Sequence, residues 1–330
     1  MTKLSMREIA KLAHVSPSTV SRALQDHPSI SQQTKRRIQN IINQHEQKPI
    51  GVVIANPTGD LADDTFFSEV IHGVSEFLRR EERQMLVETF DGTNQQGLPS
   101  LVTEKQVSGL IVGGIPILDE VIYALLDTNL PIVFIGKYLH DPSTLSAVIS
   151  DNVMGGRLAG QHLAECGYDE FYFLGGDLKT NTFADRLQGF KEGLESQGKN
   201  LPKENILVSD MNQQGGYTST LEILRRKSTT NRGIFASTDW MAAGVIRALQ
   251  QNQIPIPQRY GVVGYSDLDL ASHIYPTLTS IRVEKTAMGY LAARNLLDQI
   301  GEWVQGPVQN YLQPQLIIRE STSLAEQEVS

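Results

Sequence analysis

Apolar positions follow two regimes along the 330-residue chain. Up to residue 48 they recur at helical spacing: Met6, Ile9, Ala10, Leu12 and Ala13, then Val20, Ala23 and Leu24, then Ile38, Ile41 and Ile42. From residue 50 onward, short β-branched and aromatic runs alternate with longer helical stretches. The runs Ile50–Ala55, Met85–Phe90, Gly109–Val112, Ile132–Ile135, Ala147–Ile149, Phe171–Leu174, Ile206–Val208, Gly233–Ala236 and Val262–Tyr265 read as strands. Helices are predicted in most gaps, among them 66–80, 152–166, 183–197, 239–252 and 284–300. Such alternation builds parallel sheets with right-handed crossovers. The stretch is too long for one sheet, so two lobes are expected. The predicted fold is a small all-α head at residues 1–47 and a two-lobed α/β core at 48–330.

The head carries specific start signals. Ser16 reads as an N-cap and Pro17 as the first helical residue, where its missing N–H costs nothing. A turn of about three residues separates the helix at 6–13 from the one starting at Pro17, and a third helix begins near Ser31. That is a helix-turn-helix. With Val20, Ala23 and Leu24 facing inward, Pro17, Ser18, Thr19, Ser21, Arg22 and Gln25 are left off the core. These outward positions hold hydroxyls and a guanidinium but no carboxylate, the chemistry that suits phosphate oxygens and base edges. Lys35, Arg36 and Arg37 add cations for further phosphates.

Charge sharpens this picture. Residues 1–48 hold eight Lys/Arg against three acids, a net of +5, while the remainder holds 21 against 34, a net of −13. A basic head on an acidic body suggests that only the head meets a polyanion. One cysteine, Cys166, excludes an internal disulfide framework and multi-cysteine metal sites. The seven histidines show no metal-ligand spacing, and no nucleophile elbow, Walker loop or zinc-protease motif occurs, so neither an enzyme nor a cofactor is expected. Gly155-Gly156-Arg157-Leu158-Ala159-Gly160 lacks the dinucleotide-loop spacing and reads as helix packing. No run of 18 apolar residues appears, and a cytoplasmic protein is expected.

Ligands of open α/β sheets bind beyond the carboxyl ends of strands. Gly136-Lys137-Tyr138, Gly175-Gly176-Asp177, Ser237-Thr238-Asp239 and Ser266-Asp267 are therefore candidates, with polar groups suited to a hydroxylated ligand. Three of these runs have plainer readings. Asp239 could simply cap the helix at 239–252, Thr238 and Ser266 could serve turns, and Lys137 could be solvated.

The run Met6-Arg-Glu-Ile-Ala-Lys-Leu-Ala-His-Val-Ser-Pro-Ser-Thr-Val-Ser-Arg22 resembles the N-terminal signature of the lactose/galactose repressor (LacI/GalR) family. The resemblance implies phosphate contacts by Ser5, Ser16, Thr19, Ser21 and Ser31, and base reading by Pro17, Ser18 and Arg22. His14 stands where the family usually has glycine, at a position expected to need positive φ. Asp151-Asn152, Gly155-Gly156, Arg186-Leu-Gln-Gly-Phe190, Pro276-Thr-Leu-Thr-Ser-Ile281 and Ile318-Arg-Glu-Ser-Thr322 are similar to landmarks of the family's core.

That core is periplasmic-binding-protein-like, dimerises, and binds a small effector. The resemblance implies effector contacts at Phe66, Thr182, Arg186, Thr238, Asp239 and Ser266, the last often aspartate in the family; for Arg186 a solvated helix position is the plainer alternative, and one of Phe66 and Phe67 should be core. Phe171–Gly176 with Asp185–Phe190 resembles the sucrose and fructose regulators, pointing to a sugar or sugar phosphate. The partners implied are double-stranded operator DNA and a second copy of the chain, as homodimer or tetramer. One family segment is missing: the Tyr-x-Pro-Asn and Ala-Arg-x-Leu stretch that folds as a hinge helix on DNA. The alternative reading is a cytoplasmic sugar-sensing protein whose operator binding is weakened by that loss.

Overall fold

The computed structural model describes residues 4–25, 27–31, 33–35, 37–38, 41, 48–56, 65–94, 97–136, 138 and 144–323. In the head, the helix Met6–Leu12 starts at Ser5, whose hydroxyl accepts the Glu8 N–H while the Glu8 carboxylate accepts the Ser5 N–H. This reciprocal pair satisfies two donors that a helix start leaves open. The helix Pro17–Leu24 starts at Ser16, whose Oγ accepts the Thr19 N–H at 3.1 Å. Residues 33–35, 37–38 and 41 are helical, and Ser31 Oγ accepts the Thr34 N–H at 3.2 Å. Between the first two helices His14 takes φ +51°, the left-handed backbone expected there.

Ile9, Ala10, Ala13, Val20, Ala23 and Ile38 form the head's own core, with Leu4, Val15, Ile30 and Ile41 packed against it. Three expected core positions differ: Met6, Leu12 and Leu24 are exposed at 49%, 46% and 46%. Val20 and Ala23 centre the buried stripe, and Leu24 lies roughly 70° around the helix from that centre at 3.6 residues per turn. So small a core has no second layer to cover it. Ile42 and Arg36 lie outside the described residues.

The core contains two six-stranded sheets of matching design. The strands of the first are β1 (Ile50–Ala55), β2 (Met85–Phe90), β3 (Gly109–Gly114), β4 (Ile132–Ile135), β5 (Ser146–Ser150) and β11 (Gln309–Leu312). Those of the second are β6 (Glu170–Gly175), β7 (Ile206–Val208), β8 (Arg232–Ala236), β9 (Tyr260–Ser266), β10 (Thr279–Arg282) and β12 (Gln315–Ile317). The orders are β11-β5-β4-β3-β1-β2 and β12-β10-β9-β8-β6-β7. Every neighbouring pair is parallel except β10 with β12. Central strands are buried throughout, as helices on both faces require. The chain passes between lobes three times: after β5, after β10, and between β11 and β12.

Helix pairs close on reciprocal glycines. A Cβ on Gly156 would stand 2.1 Å from the Arg186 carbonyl oxygen, and one on Gly189 would stand 1.9 Å from that of Val153. In the first lobe, Gly73 against Thr286 and Gly289 against Val70 repeat the device at 2.0 and 1.9 Å. The glycine run at 155–160 thus serves close packing of Asn152–Glu165 against Asn181–Glu195.

Candidate functional site

Two places hold the expected site residues. On the head, Ser5, Ser16, Pro17, Ser18, Arg22, Gln25 and Ser31 are exposed, while Thr19, Ser21 and Lys35 are half-buried. Ser16 Oγ also meets Ser18 Oγ at 2.7 Å and Thr19 Oγ1 at 2.9 Å, so one helix start presents three linked hydroxyls. Its first turn holds no acidic residue and its last turn holds Arg22. Among the described residues, no carboxylate lies within ion-pair distance of Arg22. Ser5 is less free, because its hydroxyl bonds Glu8 Oε2 at 2.7 Å.

Between the lobes lies a cavity of 380 Å³ at the carboxyl ends of β1, β3, β4, β5, β8 and β9. Phe66, Thr182, Arg186, Thr238 and Ser266 all line it. Phe67 is the more buried of the phenylalanine pair, edge-on to Phe66 at 5.1 Å between centroids. Arg186 is 8% exposed, which removes the solvated alternative. Its Nε donates to Asn152 Oδ1 at 2.9 Å and its Nη1 to the Ser237 carbonyl at 2.5 Å. The guanidinium carbon sits 3.6 Å from the Tyr265 ring centroid, and the Tyr265 hydroxyl donates to the same Asn152 oxygen at 3.0 Å. Burial pulls the Arg186 pKa below its usual value.

Two expected contacts do not face this cavity. Asp239 is fully buried as the first residue of the helix Asp239–Gln251, whose cap is Thr238. Its Oδ2 accepts the Leu268 N–H at 2.7 Å and its Oδ1 accepts the Ser280 hydroxyl at 2.5 Å. Burial, the largest cause, pushes its carboxyl up to about 6. Asp239 thus braces the loop after β9 from behind. Asp267 turns into a separate hollow of 640 Å³, where Arg282 Nε approaches its Oδ2 at 2.8 Å and Arg319 Nη1 approaches its Oδ1 at 2.7 Å. The turn responsible is visible in the backbone: Ser266 has φ +109° and Asp267 φ +49°. Lys285 Nζ holds it by donating to the Ser266 carbonyl at 2.8 Å. Lys137 lies outside the described residues.

Gly136 and Tyr138 of the candidate run after β4 line the cavity, which also gathers Asn152, Phe183, Met211, Trp240 and Tyr265, not chosen from the sequence as ligand contacts. Trp240 directly follows the candidate Asp239. Tyr265 ends a strand, so only the pleat decides that it faces the ligand space. Among the described residues, no cluster of potential metal ligands occurs and no helix is long and apolar enough to cross a membrane.

Residues 5–49 match the bacterial regulatory proteins of the lacI family, and residues 161–322 match the periplasmic binding protein-like domain. The ribose operon repressor of Haemophilus influenzae is 28% identical over 340 residues, spanning 96% of this chain and 98% of that protein. A transcriptional regulator CelR–cellobiose complex superposes with a TM-score of 0.77 at 26% identity, covering 96% of this chain and 99% of the other. A LacI family transcriptional regulator from Enterococcus faecium with bound ribose gives 0.72 at 26% identity, covering 84% and 99%. These relatives are regulators rather than enzymes. A serine-capped helix-turn-helix joined to two matched α/β lobes places this chain in the LacI family of bacterial regulatory proteins.

Proposed function

We propose that the chain is a transcriptional repressor that grips a palindromic operator as a dimer and answers to a small carbohydrate-like effector held between its lobes. The observation that carries this reading is the pairing of an acid-free, exposed helix start at Ser16–Arg22 with a buried guanidinium, Arg186, in an interlobe cavity. Residues 1–47 read DNA: the helix Pro17–Leu24 enters the major groove, Arg22 takes a guanine through its O6 and N7, and the serine hydroxyls fix the register on phosphates. One head buries too little surface for useful specificity, so two heads act together. Residues 48–330 sense: an effector touching both lobes favours one lobe arrangement and shifts the population of DNA-binding forms. The capped, basic head argues against a sugar sensor that has lost its operator.

Only eight residues, 42–49, separate Ile41 from β1. Fully extended they reach about 27 Å, which tethers each head tightly and leaves no room for a family-type hinge helix. Half-site spacing or affinity should differ accordingly, and footprinting that shows a closely spaced, centrally kinked palindrome would contradict this. The function itself is tested by gel retardation of genomic fragments at moderate ionic strength, with a thermal-shift screen of sugars alongside. Absence of any retarded fragment overturns the repressor.

A further inference from the structure

The hollow of 640 Å³ that takes Asp267 lies directly behind the interlobe cavity, and Thr65, Leu268 and Val283 line both. Lys285 reaches into it with a side chain only 3% exposed. A lysine so enclosed needs acceptors for its three donors. Its Nζ meets three oxygens: the Ser266 carbonyl at 2.8 Å, the Asp267 carbonyl at 3.3 Å and Glu69 Oε1 at 3.3 Å. The two carbonyls belong to the second lobe, in the turn after β9. Glu69 belongs to the first, on the helix Thr65–Arg80, one turn along from the cavity residue Phe66. Lys285 itself opens the helix Lys285–Ile300, which the Gly73–Thr286 and Gly289–Val70 contacts press onto that first-lobe helix. The ammonium is therefore carried by one lobe and bonded to the other.

Local sequence gives no reason for a cation here. A positive charge at a helix start opposes the helix dipole, and this start has no side-chain cap. A residue that breaks a local rule and is buried points to a role set by its partners. Those partners are strained. Ser266 and Asp267 are successive non-glycine residues in left-handed backbone, a conformation that persists only where surrounding bonds over-determine it. From the second lobe, Ser280 Oγ accepts the Asp267 N–H at 3.1 Å, and Arg282 and Arg319 hold the Asp267 carboxylate. From the first lobe comes Lys285. Ser266 and Phe66 line the cavity from opposite lobes, so Glu69 and Lys285 join the two walls from behind.

We infer that Lys285 is a positioning residue of the effector site: anchored by Glu69 in the first lobe, it holds the cavity-lining turn of the second and so fixes the angle between the lobes. This rests on the interlobe cavity being the effector site. Opening the cleft must either break the Lys285–Ser266 bond or drag the turn along, which makes the pair a latch between two lobe arrangements.

The test measures lobe separation in the full chain without ligand. Nitroxide labels go on Tyr123→Cys in the first lobe and Val208→Cys in the second, both at exposed positions, with Cys166→Ser removing the native thiol. Labelled chains are diluted into unlabelled ones, so that pulsed electron spin resonance reads distances within one chain. The parent should show one narrow distribution. Lys285→Met should broaden and shift it, and Glu69→Gln should do so to a smaller extent. Glu69→Gln should also melt with the parent, because a half-exposed carboxylate adds little to stability. A merely structural pair would move the melting temperature and leave the distance alone. Distributions that are equal in the parent and E69Q overturn the inference, as does a K285M effect confined to melting. If both variants broaden the distribution and no sugar of the thermal-shift screen narrows the parent's, the carbohydrate reading fails and the latch stands.

Discussion

Arg22 and Arg186 are both arginines without a carboxylate partner among the described residues, and they sit in opposite surroundings. Arg22 is exposed on a two-turn helix of the head, where water pays for its charge. Arg186 is buried in the interlobe cavity, where an amide, a carbonyl and a ring touch its guanidinium and the nearest carboxylates, Asp239 and Asp185, act only from a distance. An exposed free cation suits a partner that arrives with its own dense charge and leaves in salt, as a nucleic-acid backbone does. A buried one suits a small ligand that must be enclosed before its charge counts, because attraction strengthens as water is excluded. The same side chain is thus tuned to two kinds of partner by exposure alone.

The largest way to break this contrast is to move the buried arginine's support. Gly189→Leu would push a side chain into the Val153 carbonyl, 1.9 Å from its Cβ, and should destabilise the core by more than about 4 kcal/mol in chemical denaturation. An unchanged unfolding midpoint would refute the packing account. Next comes the exposed arginine. Arg22→Gln should lower operator affinity by about 1–3 kcal/mol and blur discrimination at one base position. Lys35→Ala should weaken all sequences alike and reduce the salt slope by about 1. Anisotropy titrations over a salt series separate the two, and identical behaviour would mean that Arg22 touches only phosphate.

A smaller effect concerns the acid that stays out of the cavity. Asp239 is held near 6 against its ordinary 3.8, so the native state keeps its proton more tightly than the unfolded chain. Its contribution to stability is therefore highest in acid and falls as pH rises from about 4 to about 6, by an amount on the order of 2–3 kcal/mol. Asp239→Asn should flatten that part of the pH–stability curve. A curve of unchanged slope there would show that the carboxylate is ionised without penalty. Smallest of all, His14→Gly relieves a side chain at φ +51° and should stabilise the head by up to about 1 kcal/mol in its thermal transition.

Much of this was legible in local sequence. Ser16-Pro17 marked a helix start, His14 a left-handed turn, and alternating runs gave nine of the strands within a residue or two. What stayed hidden depends on contacts distant in the chain. β10, β11 and β12 are short and lie toward one edge of each sheet; β11 and β12 are partly exposed, so no apolar run announces them. Asp239 and Asp267 looked like site carboxylates because they follow strands. Ser280, Arg282 and Arg319 claim them, and those partners come from β10 and the C-terminal segment. Arg186 was selected from the resemblance, but its burial against Asn152, Ser237 and Tyr265 depends on partners from three separate stretches of chain.

Neither lobe is a continuous stretch of chain, since each takes its last strand from the segment after residue 300. A fragment ending at Ser150 would lack the helix Lys285–Ile300 that covers its sheet and the strand that completes it. A protease nick at Asp151 would leave the N-terminal fragment held by β5–β11 pairing and by packing of the helix Lys285–Ile300, both still joined to the second lobe by two crossings. In the intact chain, parting the lobes would therefore require three cuts.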